Sequence, residues 1–157
     1  MKSSLGIGAN MAVSKSKVVS IGGYDESLGP GAKFMAGEDY DIIIRCLLNK
    51  MLVYQAAKSE VIHYGIRTIE ESRYLIQNAY FGIGATYIKP IIIGDLCFLH
   101  NYMYELFINL LGNSIKKIIF NNKPYGMSRI LNFVKGSVKG SVKGIYTSIN
   151  KESFKYC

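Results

Sequence analysis

Apolar residues in the middle of the chain follow a helical pattern. They predict a helix that begins behind Gly37 and ends at Asn49-Lys50. Its broad buried face consists of Ile42, Ile43, Ile44, Leu47 and Leu48. The pattern therefore places a rigid, half-buried element directly after a glycine-rich stretch.

A second helix is predicted from Thr68 to Tyr87. Thr68 and Glu71 have the spacing of a capping box, and Lys89-Pro90 is expected to stop the helix. Gly82-Ile83-Gly84-Ala85 predicts a patch of small residues against which another element packs. Further helical segments are predicted at 96–111, 114–120 and 127–134.

Three short apolar runs instead predict strands. The first, at 7–13, leads into a helix that Ser14 could cap, and the others cover Met51 to Gln55 and Ser59 to Tyr64. Combined with the helices, these runs predict an α/β fold. The glycine-rich stretch between the first two helices forms a loop of a length that is more often functional than idle.

Acidic residues concentrate at the start of the first long helix, at Glu38, Asp39 and Asp41. One interpretation is capping, in which Asp39 or Asp41 accepts backbone N–H bonds and Arg45 pairs with Asp41. Capping explains one carboxylate well, but three close carboxylates repel one another. Their grouping also favours proton transfer or hydroxyl binding, and both interpretations stay open.

Charge is spread unevenly over the 157 residues, whose net charge is +8. Residues 91–157 carry nine Lys or Arg against three Asp or Glu, a net of +6, which suits an anionic surface of phospholipid or nucleic acid. No RNA-binding or helix-turn-helix signature accompanies this charge, so nucleic acid ranks last. Cys46, Cys97 and Cys157 form no Cys-x-x-Cys pair, which predicts a reducing compartment and no zinc site.

No apolar run reaches the roughly 20 residues of a membrane-spanning helix. Val-Lys-Gly recurs at 134–136, 138–140 and 142–144, and each glycine weakens a helix by about 1 kcal/mol. A solvated, partly frayed tail is the favoured interpretation. The alternative is a basic amphipathic helix on an anionic membrane, with Lys135, Lys139 and Lys143 along one face.

Four motifs together carry a family resemblance: GANMAV at 8–13, GGYDESLG at 22–29, GEDYDI at 37–42 followed by Arg45, and VIHYG at 61–65. In this order and spacing they resemble the C-terminal half of the catalytic domain of a family 2 glycosyltransferase of the GT-A type. The clear resemblance covers residues 6–67. It implies a partial GT-A fold at 1–68, the acceptor-side half, followed by a mostly helical, basic region at 69–157.

The resemblance also implies site residues for inverting transfer of a sugar from a nucleotide-sugar donor to an acceptor hydroxyl. Asp39 would be the general base, because a sugar hydroxyl is a weak nucleophile until its proton is removed. Glu38 would bind the acceptor or hold the loop. The acceptor pocket would be lined by Gly22, Gly23, Tyr24 and Asp25. His63 matches a histidine that ligates the diphosphate-bound cation in some relatives and is structural in others.

In that family a divalent cation, Mg²⁺ or Mn²⁺, sits on an Asp-x-Asp motif in a nucleotide-binding half that this sequence lacks. Asp39-Tyr40-Asp41 matches the Asp-x-Asp pattern, but it lies at the acceptor-side corner and is not interpreted as the nucleotide motif. The chain alone is therefore expected to bind no cation tightly and to be inactive without that half. The implied partners are a nucleotide-sugar donor and a saccharide or lipid-linked acceptor. The expected location is cytoplasmic, with attachment to the inner face of the membrane as the alternative for the basic helices. The alternative function is a membrane-surface or protein-interaction module that uses these basic C-terminal helices.

Overall fold

The computed structural model of the chain describes residues 8–56, 60–62, 64–65, 67–121, 127–147, 149 and 154–156. A 3-10 turn at Gly8–Asn10 opens this part of the chain. The helices are α1 (Lys15–Ser20), α2 (Glu38–Leu48), α3 (Ile69–Ile92), α4 (Cys97–Met103), a π-helical segment (Tyr104–Gly112), α5 (Asn113–Asn121) and α6 (Met127–Thr147).

The predicted α/β class is wrong, because over the described residues the chain is all-α and has no strand. A single antiparallel bridge joins Ile149 to Tyr156. The first predicted strand contains the exposed 3-10 turn, and residues 51–56, 60–62 and 64 have no regular structure. A strand needs a neighbour to complete its hydrogen bonds, whereas Leu52 is 98% exposed and Tyr54 is 89% exposed.

Helix α2 begins and ends where the sequence predicts, at Glu38 and Leu48. The preceding Gly37 has a φ of 99°, and a Cβ there would lie 2.9 Å from the backbone of Gly82 and 2.7 Å from Thr86 Oγ1. Only glycine fits this conformation and this close approach. Gly37 therefore sets both the entry into α2 and the distance between α2 and α3.

Helix α3 has the predicted capping box. Thr68 Oγ1 accepts a hydrogen bond from the Glu71 N–H, and Glu71 Oε2 accepts one from the Thr68 N–H at 2.8 Å. The predicted end at Tyr87 is wrong, since the helix continues through Pro90 to Ile92. Gly94, with a φ of 97°, follows the last turn as glycine commonly does at a helix C terminus.

Among the described helices, α3 and α6 form the most extensive pair, and glycines bring their backbones together. A Cβ on Gly84 would overlap the Phe133 carbonyl oxygen, and one on Gly136 would overlap that of Phe81. The predicted small-residue patch at 82–85 is thereby confirmed. Further along, Gly140 faces Ala85, so contacts advance in the same direction on both helices and the two run parallel.

The favoured interpretation of the Val-Lys-Gly repeat as a solvated, frayed tail is wrong. Residues 134–144 lie inside α6, and Gly136, Gly140 and Gly144 are buried against α3. Ser137 Oγ donates to the carbonyl oxygens of Phe133 at 2.9 Å and Gly84 at 3.2 Å. Close packing therefore outweighs the low helix propensity of the three glycines.

Apolar cores draw on both sides of the predicted boundary at 68/69. Leu28 and Phe34 pack with Ala85, while Ile44 packs with Tyr87. The division into an acceptor-side half at 1–68 and a helical region at 69–157 stays a prediction. Among the described helices, none is long and apolar enough to cross a membrane.

Candidate functional site

Segments from three of the sequence motifs meet at the start of α2. Asp39 Oδ2 accepts a hydrogen bond from the Gly8 N–H at 3.0 Å, and Asp39 Oδ1 accepts one from the Tyr40 N–H at 2.8 Å. The Glu38 carboxylate lies 3.5 Å from the position that a Cβ on Gly29 would take. Glu38 and Asp39 are half-buried. The first helical turn therefore contacts the 3-10 turn on one side and the glycine-rich loop on the other.

The third carboxylate of the acidic stretch, Asp41, points into the protein instead. It is 2% exposed and binds Arg45 Nε through Oδ2 at 2.8 Å and Lys89 Nζ through Oδ1 at 2.6 Å. Lys89 Nζ also binds Asp25 Oδ2 at 2.6 Å. We call these four residues, Asp25, Asp41, Arg45 and Lys89, the charged cluster. The predicted pairing of Asp41 with Arg45 is confirmed.

Arg45 connects the charged cluster to the turn at Gly22-Gly23. Its guanidinium donates to the Ile21 carbonyl oxygen at 2.9 Å and to that of Gly23. Gly22 and Gly23 have φ values of 86° and 73°, which glycine adopts without strain. The turn is thus fixed to α2 through Arg45, whose partner Asp41 lies two residues after Asp39.

Asp25 is fully engaged within the charged cluster. Its Oδ1 accepts from the Ser27 N–H and its Oδ2 from the Tyr156 N–H, both at 2.9 Å. Burial alone would raise the pKa of Asp25, but the Lys89 ammonium and these hydrogen bonds outweigh it and hold the pKa below its ordinary value. The Tyr156 ring lies 4.9 Å from Lys89 Nζ, and the Tyr156 hydroxyl donates to the Ala85 carbonyl oxygen at 2.7 Å.

The predicted site residues thus occupy different environments. Glu38 and Asp39 lie together at the entrance to α2, and Tyr24 is exposed beside the glycine turn. Asp25, which the resemblance placed in the lining of an acceptor pocket, is 2% exposed and holds the loop from within. His63 lies outside the described residues.

Metal ligation by Asp39-Tyr40-Asp41 does not fit the geometry, because Arg45 and Lys89 occupy both oxygens of Asp41. Within the part of the chain that the structure describes, no three His, Cys, Asp or Glu side chains are grouped so that they could hold a metal ion. Binding of Mg²⁺ or Mn²⁺ by a complete enzyme stays a prediction.

Sequence reasoning missed Lys89 and Tyr156. Lys89 is the one charged residue in the run of small and apolar residues at 82–93, which could have indicated a buried ionic partner. Because Pro90 follows it, Lys89 was instead predicted to lie at the end of a helix. Tyr156 carried no comparable signal, because its partners Asp25 and Ala85 are far away in the sequence.

Comparison with known proteins adds no relative. No protein-family model, no curated protein and no solved structure matches the chain. The resemblance to family 2 glycosyltransferases therefore rests on the four motifs.

Proposed function

We propose that the chain forms the acceptor side of an inverting sugar-transfer site, in which Asp39 removes the proton from the attacking hydroxyl. One observation carries the proposal. Three motif segments that are separated along the sequence, the 3-10 turn, the glycine-rich loop and the start of α2, meet around Glu38 and Asp39. A reacting carboxylate needs this kind of setting, open to a ligand and fixed by its surroundings.

The hydrogen bonds of Asp39 leave acceptor positions on its carboxylate for an incoming hydroxyl. Each carboxylate oxygen receives one backbone N–H, from Gly8 or from Tyr40. A carboxylate has about four acceptor positions, so room remains for a hydroxyl at hydrogen-bond distance. The two backbone bonds also orient the carboxyl group.

The charged cluster fixes the elements that carry the site. It ties α2 to α3 through Lys89 and to the glycine turn through Arg45, and these side chains are buried. Buried, fully paired charges keep the helix and the loop in one relative position. On this proposal the cluster positions Asp39 and does not contact the sugar.

The proposal assigns the sugar nucleotide and its Mg²⁺ or Mn²⁺ ion to a nucleotide-binding half outside these residues. A saccharide or lipid-linked alcohol would be the acceptor. Transfer therefore requires that half, supplied either in the same polypeptide or as a second protein.

The direct test is sugar transfer by the chain together with a nucleotide-binding half. Asp39→Asn should lower the transfer rate at least about a hundredfold, the usual contribution of a general base, while donor binding is retained. Glu70→Gln is the matched control, because Glu70 is an exposed carboxylate in the first turn of a different helix, α3. Unchanged turnover in Asp39→Asn would remove Asp39 from the role of base.

Acceptor binding can be tested on the chain alone by titrating saccharides and following the backbone amide signals by NMR. The expected shifts concentrate at Gly8–Asn10 and at Glu38 and Asp39. Shifts confined to α3 and α6 would place the ligand elsewhere and contradict the proposed site.

A further inference from the structure

Helix α6 has an exposed row of apolar side chains on the side opposite its glycines. The row consists of Leu131, Val134, Val138, Val142 and Ile145, which are between 38% and 73% exposed. We call it the apolar ridge. At about 100° per residue the five side chains fall within an arc of about 80°, while Gly136, Gly140 and Gly144 centre about 160° away.

Basic residues flank the apolar ridge. Lys135 and Lys139 are exposed on one side of it, and Lys139 Nζ lies 5.4 Å from the centroid of the Phe81 ring on α3. Lys143, expected on the same face, is half-buried, and its Nζ donates to Ser27 Oγ at 2.5 Å and lies 5.3 Å from the Tyr156 ring. Two of the three repeat lysines are thus exposed, and Lys135 lies next to the ridge.

The positive charge of α6 indicates which kind of partner suits the apolar ridge. The sequence of α6 contains Arg129, Lys135, Lys139 and Lys143 and no Asp or Glu. A second copy packed on the ridge would bring like charges together. An anionic lipid surface instead offers an apolar layer for the valines and phosphates for the lysines. Contiguous exposed apolar patches are typical of protein–protein or membrane interaction sites.

We propose that α6 docks lengthwise on an anionic lipid surface. The apolar ridge lies at the boundary between headgroups and acyl chains, and Lys135 and Lys139 contact lipid phosphates. The glycine face remains packed on α3, so docking requires no unfolding. This proposal is independent of sugar transfer and would hold if Asp39 had no catalytic role.

The first test is sedimentation of the whole chain with vesicles of phosphatidylcholine, with and without phosphatidylglycerol. Binding should require phosphatidylglycerol and weaken as salt is raised. Val138→Gln with Val142→Gln should weaken it at least about tenfold. Val19→Gln is the control, since Val19 is a 64% exposed valine on a different helix, α1, and this variant should bind as the unmodified chain does.

The second test separates docking by this face from general attraction of a basic protein. Lys135→Gln with Lys139→Gln should weaken binding to phosphatidylglycerol about thirtyfold. Lys15→Gln with Lys33→Gln removes the same charge from exposed positions elsewhere and should change binding less than about threefold. Helicity by circular dichroism should be unchanged in all these variants.

Three results would overturn the proposal. One is an absence of vesicle binding, and another is an equal loss in the two lysine pairs. The third is a dimer in solution that dissociates in Val138→Gln with Val142→Gln, because a second copy of the chain would then cover the ridge.

Discussion

The charged cluster and the α3–α6 interface join parts of the fold by opposite means. At the cluster, Lys89 extends a long side chain between Asp25 and Asp41, so that attraction between ions holds α3 to α2 and to the loop. At the interface, Gly84 and Gly136 remove side chains so that backbones touch. The first contact depends on charged side-chain groups, and the second depends on the lack of a side chain at each glycine.

The two contacts should therefore fail in opposite ways. The charged cluster should be sensitive to loss of a group, because each buried charge that remains loses an oppositely charged neighbour. The glycine interface should be sensitive to a gain of volume, because a close-packed interior relaxes little. Both contacts involve the same helix, α3, within residues 81–92, so unfolding measurements on single substitutions compare them directly.

The largest effect is expected from Lys89→Met, which leaves Asp25 and Asp41 buried next to an apolar side chain. The free energy of unfolding should fall by about 3–5 kcal/mol, measured by urea denaturation. Lys15→Met, at an exposed position in α1, should change it by less than about 0.5 kcal/mol. A small loss in Lys89→Met would show that water reaches the charged cluster.

A smaller effect is expected from Gly136→Ala, since the added methyl group overlaps the Phe81 carbonyl oxygen. The free energy of unfolding should fall by about 1–3 kcal/mol, despite the better helix propensity of alanine. Gly112→Ala is the matched control, because its Cβ would lie 3.5 Å from the Phe107 carbonyl oxygen, an ordinary contact. That variant should be neutral or gain up to about 1 kcal/mol. Equal changes in both variants would show that the close approach of Gly136 to the Phe81 backbone does not determine stability.

The smallest effect is expected from acid titration of the charged cluster. Because the folded pKa of Asp25 lies below its ordinary value of 3.8, its contribution to stability is complete above that value. The contribution should disappear as the pH falls through the lower folded pKa. Denaturation midpoints between pH 5 and 2 should therefore fall less steeply with acid in Asp25→Asn than in the unmodified chain. Parallel curves would contradict the pKa shift.

Local spacing in the sequence predicted the features that depend on near neighbours. The capping box of Thr68 and Glu71, the Asp41–Arg45 pair and the bounds of α2 follow from residues three or four positions apart. The small-residue patch at 82–85 also followed from composition. Each of these features is decided within one or two helical turns.

Features that depend on distant partners could not be read in this way. Lys89 binds Asp25 and Asp41, which are 64 and 48 residues away in the sequence. The glycines of the Val-Lys-Gly repeat are helical because they pack closely against α3. The run from Met51 to Gln55 has a strand pattern, but a strand also requires a neighbouring strand, and none lies among the described residues. At the candidate site, the sequence grouped three carboxylates, whereas burial separates Asp41 from Glu38 and Asp39.

Because Lys89 is buried, chemical modification of its amine can report local opening between α3 and α2. An acetylating reagent reacts only with amines that it can reach, and the Lys89 side chain is 2% exposed. Modification at this position, read by mass spectrometry, should therefore proceed only during the brief moments when α3 separates from α2. Its rate relative to that of Lys15 would measure how often this corner of the native protein opens.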